Sequence, residues 1–143
     1  MLDIIAFCDA SYDKISKKAT ACSIIMSDLM FHNYRVEVYE NVDTGARAEL
    51  LGIIQTIEYV RDMKDVNTVT VYCDSATTIS LYRNILKTGR INKKVAYEKD
   101  WKRLLKISEG LKVFPESIQG HRREHNPNKV CDVLACNTLH IMI

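Results

Sequence analysis

No apolar stretch in this sequence approaches the roughly 20 residues that a helical membrane span requires, and no linker, internal repeat or low-complexity tract interrupts it. These absences exclude a helical membrane protein and a tandem architecture, and no membrane partner is expected. Net charge is also scarce. A formal charge of +2 is too small to reveal a polyanionic partner by itself. Close cysteine pairing is missing too: Cys8, Cys22, Cys73, Cys131 and Cys136 form an odd, scattered set. Three lie in apolar runs, where a thiol behaves as a small hydrophobe, so a reducing compartment is indicated and a cytoplasmic location expected. Asp3 stands where a secretory signal would carry positive charge, in keeping with that expectation.

What is present is an ordinary globular composition, 47% hydrophobic and 27% charged over 143 residues. That is enough chain for one core, and a single domain spanning residues 1–143 is expected. The run Ile4 to Cys8 is continuously apolar and ends at Asp9, as a central strand buried on both faces would. Ser11 to Lys18 reads as a polar turn. Ala19 to Met26 and then Tyr34, Val36 and Val38, alternating with Arg35 and Glu37, complete a three-strand meander.

From Arg47 to Arg61 the period changes to about 3.6, with Leu50, Ile53, Ile54, Ile57 and Val60 on one stripe. Val69 to Cys73 is a second strand that ends in an aspartate, Asp74. Ser75 then caps a helix through Leu86. Gly89 breaks it, and Trp101, Leu104, Leu105 and Ile107 mark another amphipathic helix ending near Gly110. Trp101 is read as core rather than as a stacking platform. Pro115 cannot donate to a ladder, so the last strand is expected at an edge or beyond this residue. From Pro127 the chain turns helical again, with Val130, Val133, Leu134 and Ile141 on one side. The expected fold is α/β: a five-stranded mixed sheet, an antiparallel meander plus parallel strands, flanked by helices.

Basic residues cluster from Arg83 to Lys106 and include Lys87, Arg90, Lys93 and Lys94. A solvated helix face and a nucleic-acid footprint both fit such a run, and only a neighbouring site can choose between them.

The carboxylates are more telling. Asp9 and Asp74 both follow strands read as buried, and the carboxyl ends of parallel strands are where ligands bind in α/β sheets. Glu49 precedes Ile53 and Ile57 by four and eight residues, which puts its carboxylate on the apolar stripe. A charge there must be neutralised, paired or bound to metal. Asp132 stands in the early turns of the last helix, where an acid is also favoured by the helix dipole. If the four converge, mutual repulsion calls for cations, and hard oxygen ligands favour Mg²⁺ or Mn²⁺.

These residues resemble the ribonuclease H family over nearly the whole chain. Ile4 to Ser11 looks like the family's first strand with its acidic-small-Ser end. Thr44 and Arg47 to Leu51 resemble the start of its first helix, Tyr72 to Ser75 its Asp-Ser element, and Gly120, His121, Asn128 and Cys131 to Ala135 its histidine loop and final acidic helix. The resemblance implies an endonuclease that hydrolyses the RNA strand of RNA/DNA hybrids by a two-metal-ion mechanism, leaving 5′-phosphate and 3′-hydroxyl ends. In that reading Asp9 bridges two Mg²⁺ ions, Asp132 helps hold the ion that activates water, and Glu49 with Asp74 holds the other. Mn²⁺ would substitute. His121 would assist proton transfer or product departure. Thr44 would contact a phosphate or cap its helix, while Ser11, Asn128, Lys87, Arg90, Lys93 and Lys94 would lie on the nucleic-acid side. A monomer is expected.

The chain departs from the family pattern at Gly45, Ala46 and Ala76, where typical members carry amides that contact the minor groove and the ribose 2′-hydroxyl. Two alternatives therefore stand beside the hybrid nuclease: a DNA-directed nuclease of the same fold, and a catalytically silent nucleic-acid-binding or interaction module. A zinc module built from His121, His125, Cys131 and Cys136 is a weaker rival, because Cys131 and Cys136 lie about 140° apart around a helix axis.

Overall fold

The computed structural model describes residues 1–27, 30–118 and 127–143. Strands β1 (Leu2–Asp13), β2 (Lys18–Ser27) and β3 (Met30–Tyr39) are followed by helix α1 (Gly45–Arg61), strand β4 (Val66–Cys73) and helices α2 (Ala76–Thr88) and α3 (Glu98–Ser108). Strand β5 (Lys112–Ser117) and helix α4 (Pro127–Met142) complete the chain. The five strands form one sheet in the order β3-β2-β1-β4-β5. β1 pairs antiparallel with β2, and β2 with β3, while β1–β4 and β4–β5 are parallel. The mixed sheet is thus the one the apolar patterning predicts.

The strands run longer than their apolar runs. β1 continues through Ser11 to Asp13 because β2 remains beside it, Asp13 pairing with Lys18. The expected turn shrinks to the four residues between the strands, where Lys17 adopts a left-handed φ of 58°. The consequence matters for the site: the parallel ladder to β4 stops at Cys8↔Cys73, whereas β1 goes on with β2. Asp9 therefore sits where the sheet divides.

α1 begins at Gly45, two residues before the Arg47 start that its periodicity marks, because the Thr44 hydroxyl accepts the Arg47 N–H at 3.2 Å and caps the helix. Its stripe residues are all buried against the sheet. A Cβ at Gly52 would stand 3.5 Å from the Ala21 Cβ and 3.9 Å from the Asp9 carbonyl oxygen, so this turn of α1 rides directly over β1 and β2. α2 is capped by Ser75 and ends at Gly89, whose φ of 68° lets its N–H return to the Ile85 carbonyl. Trp101 is buried beside Tyr82 in the main core. Pro115 lies within β5, which is an edge strand among the described residues and so tolerates a missing donor.

α4 corrects one expectation. Val130, Val133 and Ile141, read as its core side, are about half exposed or more, and the buried residues are instead Cys131, Ala135 and Leu139. The cause is close approach. The Cys131 thiol donates to the carbonyls of Phe7 at 3.4 Å and Cys22 at 3.5 Å, and the Thr20 hydroxyl donates to the Ala135 carbonyl at 2.5 Å. Small side chains let the helix backbone come down onto β1 and β2, which bulkier valines would prevent.

Candidate active site

The four acidic residues come from four different elements: Asp9 from β1, Glu49 from the first turns of α1, Asp74 from the residue after β4, and Asp132 from α4. Asp9 is their centre. Its side chain is 5% exposed, and its Oδ1 accepts the Ala10 N–H at 2.9 Å. Burial, then the like charge of Glu49, and further Asp74 and Asp132, push its pKa up to about 8. The charges of all three other acids thus bear on this one carboxyl. Asp74 is exposed, while Glu49 and Asp132 are half-buried.

Glu49 is pushed up further, to about 9, by burial first, then by the Cys73 thiol and Asp74, against a lowering hydrogen bond with Asp9. Two carboxyls that share a hydrogen bond must hold a proton between them. As these side chains stand, no three His, Cys, Asp or Glu groups among the described residues enclose a metal position. The donor set nevertheless suits one: the oxygens are hard carboxylate ligands, and at Asp9 and Glu49 they are buried enough to resist their own charge, which a divalent cation relieves.

Sequence reasoning missed two thiols in this cluster. Cys73 donates to Glu49 Oε2 at 3.3 Å. Cys136, exposed on α4, donates to Asp132 Oδ1 at 3.7 Å and lies 3.4 Å from the Ser11 hydroxyl. The signal for Cys136 was legible, since it follows Asp132 by four residues on a helix. Nothing in the sequence alone joins Cys73 to Glu49. Cys131 is buried beneath the helix and Cys136 is exposed, so the two thiols of the zinc reading do not share a face, and His121 and His125, its other two ligands, lie outside the described residues.

The other expected residues fall in three groups. Thr44 is a helix cap, and its hydroxyl also meets the Tyr97 hydroxyl. Tyr97 itself holds a left-handed φ of 64° at the start of α3, a further feature that sequence reasoning did not single out. Lys87, Arg90, Lys93 and Lys94 are all exposed from the end of α2 through the following loop. Further along the basic run, Lys102 pairs with Glu98 at 2.7 Å and Arg103 with Glu58 at 2.6 Å, so that part is an ion-paired helix face. Asn128 stands in the first turn of α4, its side chain outside the described part, and His121 lies outside the described residues altogether.

Solved structures share this arrangement of the chain. The N-terminal RNase H domain of a Mycobacterium tuberculosis protein, solved as a fusion with maltose binding protein, superposes with a TM-score of 0.78 at 14% identity, covering 99% of this chain and 96% of that one. RNase H1 of the halophilic archaeon Halobacterium salinarum gives 0.74 at 15% identity, covering 96% and 98%. LC11-RNase H1, isolated from compost and solved in complex with RNA/DNA hybrid, gives 0.72 at 12%, covering 95% and 99%. At such identities the likeness shows the fold alone. A sequence search of curated proteins finds no match. The family model for RNase H, however, matches residues 2–140, nearly the whole chain, and with the four-acid cluster already in place it follows that this chain belongs to the RNase H family.

Proposed function

We propose that the chain is a divalent-metal-dependent endonuclease that hydrolyses the RNA strand of RNA/DNA hybrids, leaving 5′-phosphate and 3′-hydroxyl ends. The observation that carries this reading is the convergence of Glu49, Asp74 and Asp132 on the buried Asp9, at the point where β4 leaves the sheet. Asp9, Glu49, Asp74 and Asp132 would hold two Mg²⁺ ions, with Mn²⁺ able to substitute. When bound, such ions polarise the attacking water and neutralise charge at the scissile phosphate. The protein's own part is to keep four carboxylates gathered against their repulsion. α1 packs on the sheet and fixes Glu49. α4 is held down by Cys131 and presents Asp132. His121 is assigned to proton transfer or product departure.

The exposed lysines and arginine of 87–94 supply the electrostatic footprint for a phosphate backbone, and Thr44, Ser11 and Asn128 are assigned to the same side. The free thiols, four of them buried, support assignment to the reducing cytoplasm. A DNA-directed nuclease of the same fold is the second reading. It is favoured by Gly45, Ala46 and Ala76, which are exposed near the cluster and offer no side-chain amide to a ribose 2′-hydroxyl. A cleavage panel of RNA/DNA hybrid, duplex RNA, single-stranded RNA and duplex DNA, with Mg²⁺ and with Mn²⁺, separates the two. Cleavage confined to the RNA strand of the hybrid is the expected result. Cleavage of duplex DNA would favour the second reading, and no cleavage of any substrate would overturn both.

A further inference from the structure

β3 is a ten-residue edge strand, and no described element pairs with its outer side. Long edges with apolar side chains invite pairing with another chain, and natural sheets usually blunt them with lysine, proline or short length. β3 contains neither lysine nor proline, and its register shift against β2 falls near its start, between the Asn33 and Phe31 pairings. Met30, Phe31 and Tyr34 are each more than half exposed, the Tyr34 N–H being held by Asn33 Oδ1 at 2.8 Å. A second apolar surface adjoins it. By helical periodicity Val130, Leu134 and Ile141 share one flank of α4, and Leu134 of α4 and Val36 of β3 both pack against the smaller core cluster of Cys22, Ile24, Cys131 and Ala135, where α4 touches β3. That flank therefore borders β3, and its Val130 and Ile141 are exposed.

The charges on β3 select an occupant. Arg35 and Glu37 are close neighbours on one face of the strand, 3.8 Å apart and each a little under half exposed. When β3 is laid antiparallel against a second copy of itself with Val36 opposite Val36, each Arg35 stands opposite the other copy's Glu37, and Tyr34 stands opposite Val38. Centring the pair on Arg35 would oppose two arginines, and centring it on Glu37 would oppose two glutamates. Opposite charges across a strand pair stabilise and like charges destabilise, so a single two-fold register among these three is favourable.

We infer that the chain forms a symmetric dimer through antiparallel β3–β3 pairing about Val36, in place of the monomer expected from its sequence. The two sheets then continue as one across the axis, an isologous contact in which the same patch serves both copies. Tyr34, Val36 and Val38 are buried between the two α4 flanks. Asp9, Glu49 and Asp74 belong to β1, α1 and the end of β4, and the pairing does not depend on what the acidic cluster does.

Sedimentation velocity of the full chain across a wide concentration range tests this, with circular dichroism to establish that each variant folds. The expected result is a concentration-dependent dimer that both R35E and E37R weaken by about tenfold or more, and that the R35E/E37R double variant restores. A monomer at every concentration overturns the proposal. So does a dimer that both single variants leave unchanged, because association would then use another surface. Failure of the double variant to restore a dimer lost in the singles overturns the Val36 register.

Discussion

The thiol of Cys73 donates to Glu49 Oε2 at 3.3 Å, linking the last residue of a central strand to the acidic side chain of the helix packed over it. Cys73 is fully buried, so this contact fixes one carboxylate oxygen from beneath and leaves the other free to face the cluster. Partners of this kind orient metal ligands, and their loss costs roughly 10 to 100-fold in metal affinity.

Replacing Cys73 therefore tests how Glu49 is held. C73S keeps a donor and is expected to retain the parent's Mg²⁺ requirement. C73V removes it and should raise the Mg²⁺ concentration for half-maximal cleavage by about tenfold, the lower end of that range because a thiol is a weak donor. Metal titration of both variants, alongside their thermal midpoints, checks this. A Mg²⁺ requirement in C73V equal to the parent's would sink the assignment.

Asp9 and Glu49 should make the metal-free protein less stable as pH rises. Each is an ordinary carboxyl when unfolded but is held protonated in the fold up to about pH 8 and about pH 9. The folded state then binds more protons than the unfolded one, so stability is full below about pH 4 and declines as pH climbs through the folded values. Urea unfolding at a series of pH values without metal measures this. D9N, which cannot ionise, should flatten the decline while abolishing Mg²⁺-dependent cleavage. A D9N protein that cleaves like the parent refutes the proposed mechanism.

The basic run should divide in function as it does in structure. K87A, R90A, K93A and K94A each remove an exposed charge and are expected to reduce the slope of log affinity against log salt for hybrid binding by about 1. K102A and R103A remove residues already paired with Glu98 and Glu58 and should change it little. Fluorescence anisotropy at several salt concentrations reads the difference. Equal effects from both groups would mean that the helix face binds as well.

The seating of α4 gives a stability prediction. A135L forces a large side chain between the helix and β2 and should destabilise by about 1–3 kcal/mol. V133A, on the outward side, should stay within about 0.5 kcal/mol of the parent. Chemical unfolding of both variants checks which side is the core, and the reverse order would restore the sequence-based reading.

Much of the fold was legible because its signals are local. β-branched runs marked β1, β2 and β4, and the 3.6-residue stripe marked α1. Ser75 and Gly89 marked the ends of α2, and Pro115 fell on an edge. The acidic cluster was legible for a different reason: Glu49 violates the apolar pattern of its own helix, and a buried charge is costly enough to need a cause. The apolar face of α4 misled because valine and isoleucine outrank cysteine and alanine in any hydrophobic count, whereas the sheet demanded small residues for close approach.

The sequence by itself determined which segments are strands and helices and that Glu49 breaks the pattern of its helix, because periodicity and local capping are written within a few residues, whereas Asp132 was singled out by the family resemblance. Only the tertiary structure decided what surrounds those carboxylates. It set Cys73 beneath Glu49 and Cys136 beside Asp132, turned Val130 and Ile141 outward, and left β3 as an open edge. Each of these depends on contacts between residues far apart in the chain, which strand order and helix seating create and no local pattern encodes.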